Sequence, residues 1–152
     1  MKILEKANLI YGAAVVVLSA VFGKYWYLFA AFLALNAADY ITGIVKARRL
    51  RAESSVRGLD GIIKKLGYWL VVAIAFFLSR SFGEIGKDIG VDLGFTIFFG
   101  YFTLAAFIIN EIRSILENLV ELGVELPAWL VKGLDVAARK IDDIAGGGNE
   151  HN

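Results

Sequence analysis

The chain has 152 residues, of which 58% are hydrophobic and only 20% are charged, whereas an ordinary soluble domain is about 45–50% apolar and about 25% charged. A soluble fold of this length could bury so much apolar surface only by giving up almost all of its solvated face, so the composition favours a membrane protein. The net charge of +1 leaves no basic excess that would indicate nucleic-acid binding, and the absence of cysteine excludes disulfides, thiolate metal sites and a cysteine nucleophile.

The first apolar block covers about residues 7–23 and contains no charged side chain. At about 1.5 Å per residue it is slightly shorter than the hydrocarbon core of a bilayer, so we expect it to span with help from its flanks. Lys2 and Lys6 precede it as in a secretory signal, but a second apolar block follows directly after Lys24. This continuity argues against a cleaved signal peptide and predicts a first transmembrane helix.

The second apolar block, about residues 25–45, opens with three aromatic residues, whose rings suit the headgroup boundary of a membrane. Gly23 and Lys24, which precede it, are therefore predicted to form a tight hairpin turn. Alanine then recurs every four residues and leaves a smooth strip on one helix face, where a second helix could approach closely. A chance run of alanine is the alternative interpretation. The strip consists of Ala30, Ala34 and Ala38.

Asp39 lies six residues before the end of this block. An ionisable side chain inside a span costs roughly 2.5–3.5 kcal/mol on insertion scales, so it usually faces protein or water. Two interpretations follow: Asp39 contributes to subunit contacts or pore lining, or it pairs at the membrane boundary with Lys46 or with a basic group of the next loop. The candidate oligomerisation or pore-facing residues are Asn36, Asp39, Thr42 and Gly43, together with the alanine strip.

A polar connection, residues 46–65, carries seven basic residues and two acidic ones, a net charge of +5. Short loops rich in lysine and arginine stay on the cytoplasmic side, because basic groups resist translocation and favour anionic headgroups. This loop therefore sets the predicted orientation of all the spans. Its basic residues are Lys46, Arg48, Arg49, Arg51, Arg57, Lys64 and Lys65.

The third apolar block, about residues 66–82, is interrupted only near its end, by Arg80, and the fourth block, about residues 93–109, contains no charge. The connection between them is net negative and easily placed outside. Counting from the basic loop predicts four transmembrane helices, with both termini in the cytoplasm. Three crossings are the alternative, if the first two blocks do not form a separate hairpin.

From Glu111 onward, apolar residues recur at helical spacing and polar residues occupy the other face, which predicts an amphipathic helix that continues out of the membrane. Gly123 is placed to end this helix. A second amphipathic helix is predicted over about residues 127–144, with a proline in its first turn. Asn110 and Glu111 themselves, at the inner end of the fourth block, are expected to be solvated residues of a helix end.

The chain is therefore predicted to be an all-α integral membrane protein with a transmembrane part, residues 1–110, and cytoplasmic amphipathic helices, residues 111–145. Residues 146–152 begin with three glycines and are predicted to form a flexible tail. The sequence contains no serine nucleophile elbow, zinc-protease motif or phosphate-binding loop. We accordingly expect no enzyme activity, cofactor or metal, and we expect the single histidine, His151, to be a solvated residue of the tail.

Three stretches carry a resemblance to a known family: residues 39–46 (DYITGIVK), residues 54–65 (SSVRGLDGIIKK), and a set of polar positions that precedes Gly123 and Pro127. In these stretches the chain resembles the toxin-secretion and phage-lysis holin family, which includes the holin-like protein of clostridial toxin loci. The third stretch is the most specific. Its polar positions are Asn110, Glu111, Ser114, Glu117 and Asn118.

The resemblance implies a non-enzymatic protein that collects in the cytoplasmic membrane, forms homo-oligomers and opens lesions through which an endolysin, or in some members a toxin, leaves the cell. The implied partners are the lipid bilayer, further copies of the chain and, functionally, that endolysin or toxin. Two other functions remain open from the residues alone. One is a small multi-span transporter with Asp39 as its ion-binding carboxylate, and the other is a membrane adaptor whose amphipathic C-terminal helices bind a soluble partner.

Overall fold

The computed structural model describes residues 2–51 and 55–145, and every regular element in these two ranges is a helix. The prediction of an all-α protein is confirmed. The predicted flexible tail, residues 146–152, and with it His151, lies outside the described residues. The five α-helices are α1 (Lys2–Phe22), α2 (Trp26–Arg49), α3 (Ser55–Ile89), α4 (Ile97–Glu121) and α5 (Ala128–Ala145), with short 3-10 turns at Gly23–Tyr25 and Gly94–Thr96.

Three stretches of the described chain are long and apolar enough to cross a membrane: Ile3–Arg49, Gly58–Ile89 and Gly94–Glu121. The first of them joins α1 and α2 and contains 47 residues, about 70 Å of helix, which is more than twice the hydrocarbon thickness of a bilayer. It is interrupted where the hairpin turn was predicted, at Gly23, whose φ of 70° is a conformation that favours glycine. The choice between four crossings and three stays a prediction.

The centre of the bundle is α4, which packs against α2 on one side and α3 on the other, while the backbones of α2 and α3 stay farther from each other. The packing is rich in aromatic rings: Phe22 stacks on Phe29 with ring centroids 3.9 Å apart, and Phe76 meets Tyr101 edge to face at 5.0 Å. Such pairs stabilise beyond the area they bury. The buried hydrophobic residues are Phe22, Phe29, Phe32, Val72, Phe76 and Leu104.

The first helix, α1, joins this bundle only through its C-terminal end. Residues 3–14 are all exposed, whereas Phe22 is buried and Leu18 packs against the core. Two side chains bind the last carbonyl groups of α1: the Tyr101 hydroxyl donates to the Phe22 carbonyl at 3.1 Å, and the Arg80 guanidinium donates to the Val21 carbonyl at 3.3 Å. The greater part of α1 therefore has no protein partner among the described residues of one copy.

A neutral group of residues, the hydroxyl cluster, lies where the second half of α3 meets the first turns of α4. It consists of Phe76, Ser79, Thr96 and Gly100. The Gly100 N–H donates to Ser79 Oγ at 3.1 Å, and the Thr96 hydroxyl donates to the Ser79 carbonyl at 2.9 Å. A Cβ on Gly100 would lie 2.9 Å from the Phe76 ring. Glycine at this position is what lets the two helices come so close.

At its other end, α4 finishes at Glu121, and Gly123 follows it as the glycine that the sequence placed at the helix end. Gly123 has a φ of 88°, its N–H donates to the Val120 carbonyl at 2.9 Å, and the Val124 N–H donates to the Leu119 carbonyl at 3.0 Å. These two bonds form a Schellman motif. The Arg49 guanidinium from the end of α2 binds the Leu122 carbonyl. Because Arg49 ends α2 beside the last turn of α4, these two helices run in parallel, and α5 then packs against α4.

Both polar connections are shorter than the sequence predicted. The prediction of one connection over residues 46–65 is wrong, because α2 continues to Arg49 and α3 begins at Ser55. The only proline is Pro127, so no proline interrupts a helix earlier in the chain. The basic residues in the last turn of α2 stabilise that helix end, because their positive charge interacts favourably with the helix dipole. Likewise, α3 extends to Ile89, into what was predicted to be the second connection.

Candidate functional site

The main concentration of polar side chains within the described bundle, which we term the charged cluster, lies where α2, α3 and α4 meet near the basic connection. Helix α2 contributes Asp39 and Thr42, α3 contributes Lys65, and α4 contributes Glu111 and Asn118. The seven-residue spacing between Glu111 and Asn118 places both on the same face of α4, nearly two full turns apart.

Lys65 is the bridge of the cluster. Its ammonium group lies 3.0 Å from Asp39 Oδ2 and also binds Glu111 Oε2. The side chains of Lys65 and Asp39 are each 15% exposed, and that of Glu111 is 2% exposed. One cation from α3 thus holds one carboxylate from α2 and another from α4, and it joins the three helices.

Neutral groups complete the coordination of Asp39. The Asn118 side-chain amide donates to Asp39 Oδ1 at 3.0 Å and to the Thr42 hydroxyl oxygen at 3.1 Å. The Thr42 hydroxyl in turn donates to the Asp39 carbonyl at 3.0 Å. Both carboxylate oxygens of Asp39 therefore have a partner, one on α3 and the other on α4.

The charges in this cluster are unbalanced, since two carboxylates face one ammonium group. In a buried setting, desolvation of each charge costs several kcal/mol, and the attraction repays it only while every partner is present. Loss of Lys65 alone would leave Asp39 and Glu111 buried together without a cation. Within residues 2–51 and 55–145, no group of three or more His, Cys, Asp or Glu side chains could hold a metal ion.

One further polar contact connects α2 with α3. Asn36 is 3% exposed; its amide donates to the Phe32 carbonyl at 2.7 Å, and its oxygen accepts a bond from the Trp69 indole at 3.3 Å. Gly43, predicted on the same face, lies against Asn118, and a Cβ there would meet the amide nitrogen at 3.8 Å. The polar face of α2 is therefore directed toward its own bundle in a single copy of the chain.

The alanine strip behaves differently. Ala34 is exposed, and Ala30 and Ala38 are only partly buried. Nothing within the described chain covers the strip completely, so its role in contacts between copies stays a prediction.

The polar positions of α4 divide into two groups. The expectation that Glu111 is solvated is wrong: the residue is 1% exposed, because it faces Lys65 on the side of α4 that also carries the buried Leu104. Asn110 is exposed, as expected. Glu117 is exposed and lies 4.0 Å from Arg113 on its own helix, and Ser114 is partly buried.

The basic residues of the predicted loop also separate by position. Lys46 pairs with Glu121 at 3.3 Å, so the interpretation in which it pairs with Asp39 is wrong, and Lys65 is the basic partner from the following segment. Lys64, next to it, is exposed. Arg48 and Arg51 are exposed and Arg49 caps α4, whereas the Arg57 side chain lies outside the described side chains.

The sequence places Lys65 among the seven basic residues of the predicted cytoplasmic loop, any of which could pair with Asp39, and does not single it out. The signal that could have identified it is its position one residue before the uncharged start of the third apolar block. A lysine there, if helical, enters the membrane boundary at the same depth as Asp39 and Glu111.

Comparison with known proteins finds a family and individual relatives. The family model described as the bacteriophage holin family matches residues 16–138. A probable holin of Bacillus phage phi105 is 34% identical over 115 residues, which are 76% of this chain and 76% of that protein. Uncharacterized proteins of Halalkalibacterium halodurans and Listeria innocua are 30% and 31% identical over 78% and 86% of this chain, covering 83% and 84% of their own lengths. No solved structure matches the chain.

Proposed function

The chain belongs to the bacteriophage holin family, and on that premise we propose that it opens lesions in the bacterial cytoplasmic membrane through which an endolysin or a toxin leaves the cell. The main support for this proposal is the family match over residues 16–138. That range contains α2, α3 and α4 completely, and with them the whole charged cluster. The activity is non-enzymatic: the protein changes the permeability of the membrane and transforms no substrate.

The orientation that we propose follows from charge. The residues between the apolar parts of α2 and α3 are rich in lysine and arginine, which keeps this side in the cytoplasm. The charged cluster, Gly123 and α5 then lie toward the cytoplasm, and the hydroxyl cluster lies toward the outside. With four crossings, both termini are cytoplasmic.

The described structure corresponds, in our proposal, to a sealed subunit. Its outer surface is apolar, as with Leu70 (62% exposed) and Phe77 (70% exposed), while the polar side chains bind one another inside the bundle. A water-filled lesion needs polar walls, because unpaired polar groups are costly in lipid and apolar walls exclude water. Opening therefore requires that the charged cluster exchange its internal partners for water or for the side chains of neighbouring copies.

Several copies must combine to form such a wall, since three packed helices enclose no channel. The exposed Ala34 and its neighbouring alanines offer a smooth surface for close helix contact between copies, where packing replaces the hydrophobic effect as the source of attraction. Homo-oligomerisation through this strip, with Asp39 and its partners turned toward the opening, is the assembly that we propose.

The test is inducible expression in a bacterial host together with a cytoplasmic endolysin. Growth should stop abruptly, the membrane potential should collapse and endolysin should appear outside the cells. Cells that keep their membrane potential and retain all endolysin contradict the proposal. Substrate-dependent uptake into vesicles that hold back large solutes would instead favour a transporter.

Asp39→Ala sharpens this experiment. The substitution removes the acceptor of Lys65 and Asn118, so the sealed bundle is weaker and lysis should begin earlier than with the unchanged chain. Asp60→Ala is the matched control, because it removes an exposed carboxylate on the same side of the bundle. An unchanged onset for Asp39→Ala shows that breaking the cluster does not limit opening.

A further inference from the structure

Between the end of α1 and the second half of α3 lies an open crevice of about 560 Å³. Its walls are mostly apolar and include Val21, Phe77 and Ile85, which are 39%, 70% and 49% exposed. The crevice exists because α1 touches the bundle only near its C-terminal end and diverges from it toward residue 3. None of the described side chains therefore fills it.

The position of the crevice decides which class of molecule can fill it. It adjoins Gly58–Ile89, a stretch apolar enough to cross a membrane, and the C-terminal end of α1. Water is excluded from apolar walls at this depth. The surrounding medium is acyl chain, which matches the apolar character of Phe77 and Ile85.

A single positive charge stands at the crevice. Arg80 is the only charged residue in the apolar block of residues 66–82, and its guanidinium lines the same space. Charged side chains within spans are costly and usually have a specific partner. One N–H of Arg80 goes to the Val21 carbonyl at 3.3 Å, but a guanidinium has five N–H donors in a fork that fits phosphate oxygens. Ser81, also at the crevice, offers a hydroxyl donor.

The acidic group at the crevice is compensated locally. Glu84 lines the same space, and its carboxylate binds Lys87 Nζ at 2.7 Å. Lys87 engages this carboxylate, and among the described residues no carboxylate forms an ion pair with Arg80. The charge of Arg80 complements a headgroup with one negative charge. The aromatic residues that follow the turn at Gly23 lie at this end of the bundle, as is typical of the headgroup boundary.

We infer that the crevice binds one anionic glycerophospholipid, with an acyl chain against Val21 and Phe77 and the phosphate on the Arg80 guanidinium. The bound lipid fills the space that α1 leaves open and connects α1 to α3. This lipid site does not depend on lesion formation. In the orientation proposed above, the lipid belongs to the outer leaflet.

Quenching of a tryptophan placed in the crevice tests this site directly. Phe77→Trp is introduced into a chain whose own tryptophans are replaced by phenylalanine, and the protein is reconstituted into vesicles that contain brominated phosphatidylglycerol or brominated phosphatidylcholine. Quenching titrations give the relative affinity of the two lipids. Phosphatidylglycerol should be preferred about fivefold, as expected for one basic residue at an anionic headgroup. The replaced tryptophans are Trp26, Trp69 and Trp129.

Two variants in the same background decide the outcome. Arg80→Gln should lower the preference to about one, whereas Lys24→Gln, a basic residue at the same end that does not line the crevice, should retain it. Equal quenching by both lipids in the parent chain, or a preference that survives Arg80→Gln, overturns the site.

A second measurement needs no tryptophan replacement. Native mass spectrometry of the full chain, released from membranes that contain both lipids, should show one retained phosphatidylglycerol for the unchanged chain and for Lys24→Gln. The Arg80→Gln chain should lose it while keeping the same helix content by circular dichroism. Retention by Arg80→Gln contradicts the site, whatever the result of a lysis experiment, because neither measurement depends on lesion formation.

Discussion

Helices α3 and α4 meet at two polar contacts that are built by opposite means. At the charged cluster, long charged side chains make the contact: Lys65 on α3 binds Glu111 on α4 and Asp39 on α2. At the hydroxyl cluster, the helices approach so closely that Gly100 lies against the Phe76 ring and donates its N–H to Ser79. The first contact depends on charge balance, and the second depends on shape.

This difference bears on which contact can be released. When water enters the charged cluster, each separated charge is hydrated again. The hydration free energy offsets part of the attraction that is lost when the charges separate. The hydroxyl cluster holds no comparable compensation, because its separation opens a gap in close packing. The comparison predicts that the bundle opens first at the charged cluster and stays joined at the hydroxyl cluster.

Removing the bridging cation should have the largest effect. Lys65→Met leaves the Asp39 and Glu111 carboxylates inside the bundle without a cation, and we expect the free energy of unfolding in mixed detergent micelles to fall by about 3–5 kcal/mol. Lys64→Met, an exposed neighbour on the same helix, should change it by less than about 0.5 kcal/mol. Combining Lys65→Met with Asp39→Asn and Glu111→Gln should recover most of the loss. A large loss in that neutral triple variant would show that the cluster acts through shape and not through charge.

Filling the close approach at the other contact should have an intermediate effect. Gly100→Ala places a Cβ 2.9 Å from the Phe76 ring, and overpacking of this kind costs about 1–3 kcal/mol. Gly67→Ala on α3 is the control: nothing lies within 4 Å of its added Cβ, so the better helix propensity of alanine should make it neutral or slightly stabilising. Denaturant titration of both variants measures the difference. Equal behaviour of the two would mean that the helices are not packed closely at Gly100.

The smallest effect is expected at the rim of the charged cluster. Lys46 and Glu121 join the same helices α2 and α4, but the Glu121 side chain is 50% exposed. Exposed pairs contribute about 0.2–1 kcal/mol and are screened by salt. Glu121→Gln should therefore cost no more than this at low ionic strength and nothing measurable at 1 M salt, whereas the loss in Lys65→Met should persist at both. A salt-independent loss in Glu121→Gln would extend the buried cluster to this pair.

The helices of the bundle could be predicted from the sequence, but their lengths could not. Apolar blocks locate the part of each helix that faces lipid or core, and the Gly23 and Gly123 turns carry the glycine signal that a positive φ requires. The turns that extend α2 and α3 beyond those blocks are rich in charged residues. Their composition alone predicts a loop. No proline interrupts them, and they continue as helix.

The candidate site was predicted in its types of residue and not in its pairings. Asp39 was identified because an acid in an apolar block is costly, and its second interpretation, pairing with a basic group from the next segment, agrees with the structure. The partners Lys65 and Glu111 lie 46 residues apart in sequence. A helical pattern gives the face of one helix but not which helix lies opposite, so the burial of Glu111 depends on packing that a single sequence does not specify.

The limited attachment of α1 has a consequence for chains that accumulate side by side. Helix α1 is held by its final turns alone, through Phe22, Leu18 and the bonds from Tyr101 and Arg80. A neighbouring molecule presents an identical acceptor surface, so exchange of α1 between neighbours replaces each lost contact with an equal one. The local concentration of the protein then decides whether α1 stays on its own bundle or packs against a neighbouring one. Exchange of α1 becomes more frequent as the molecules become crowded.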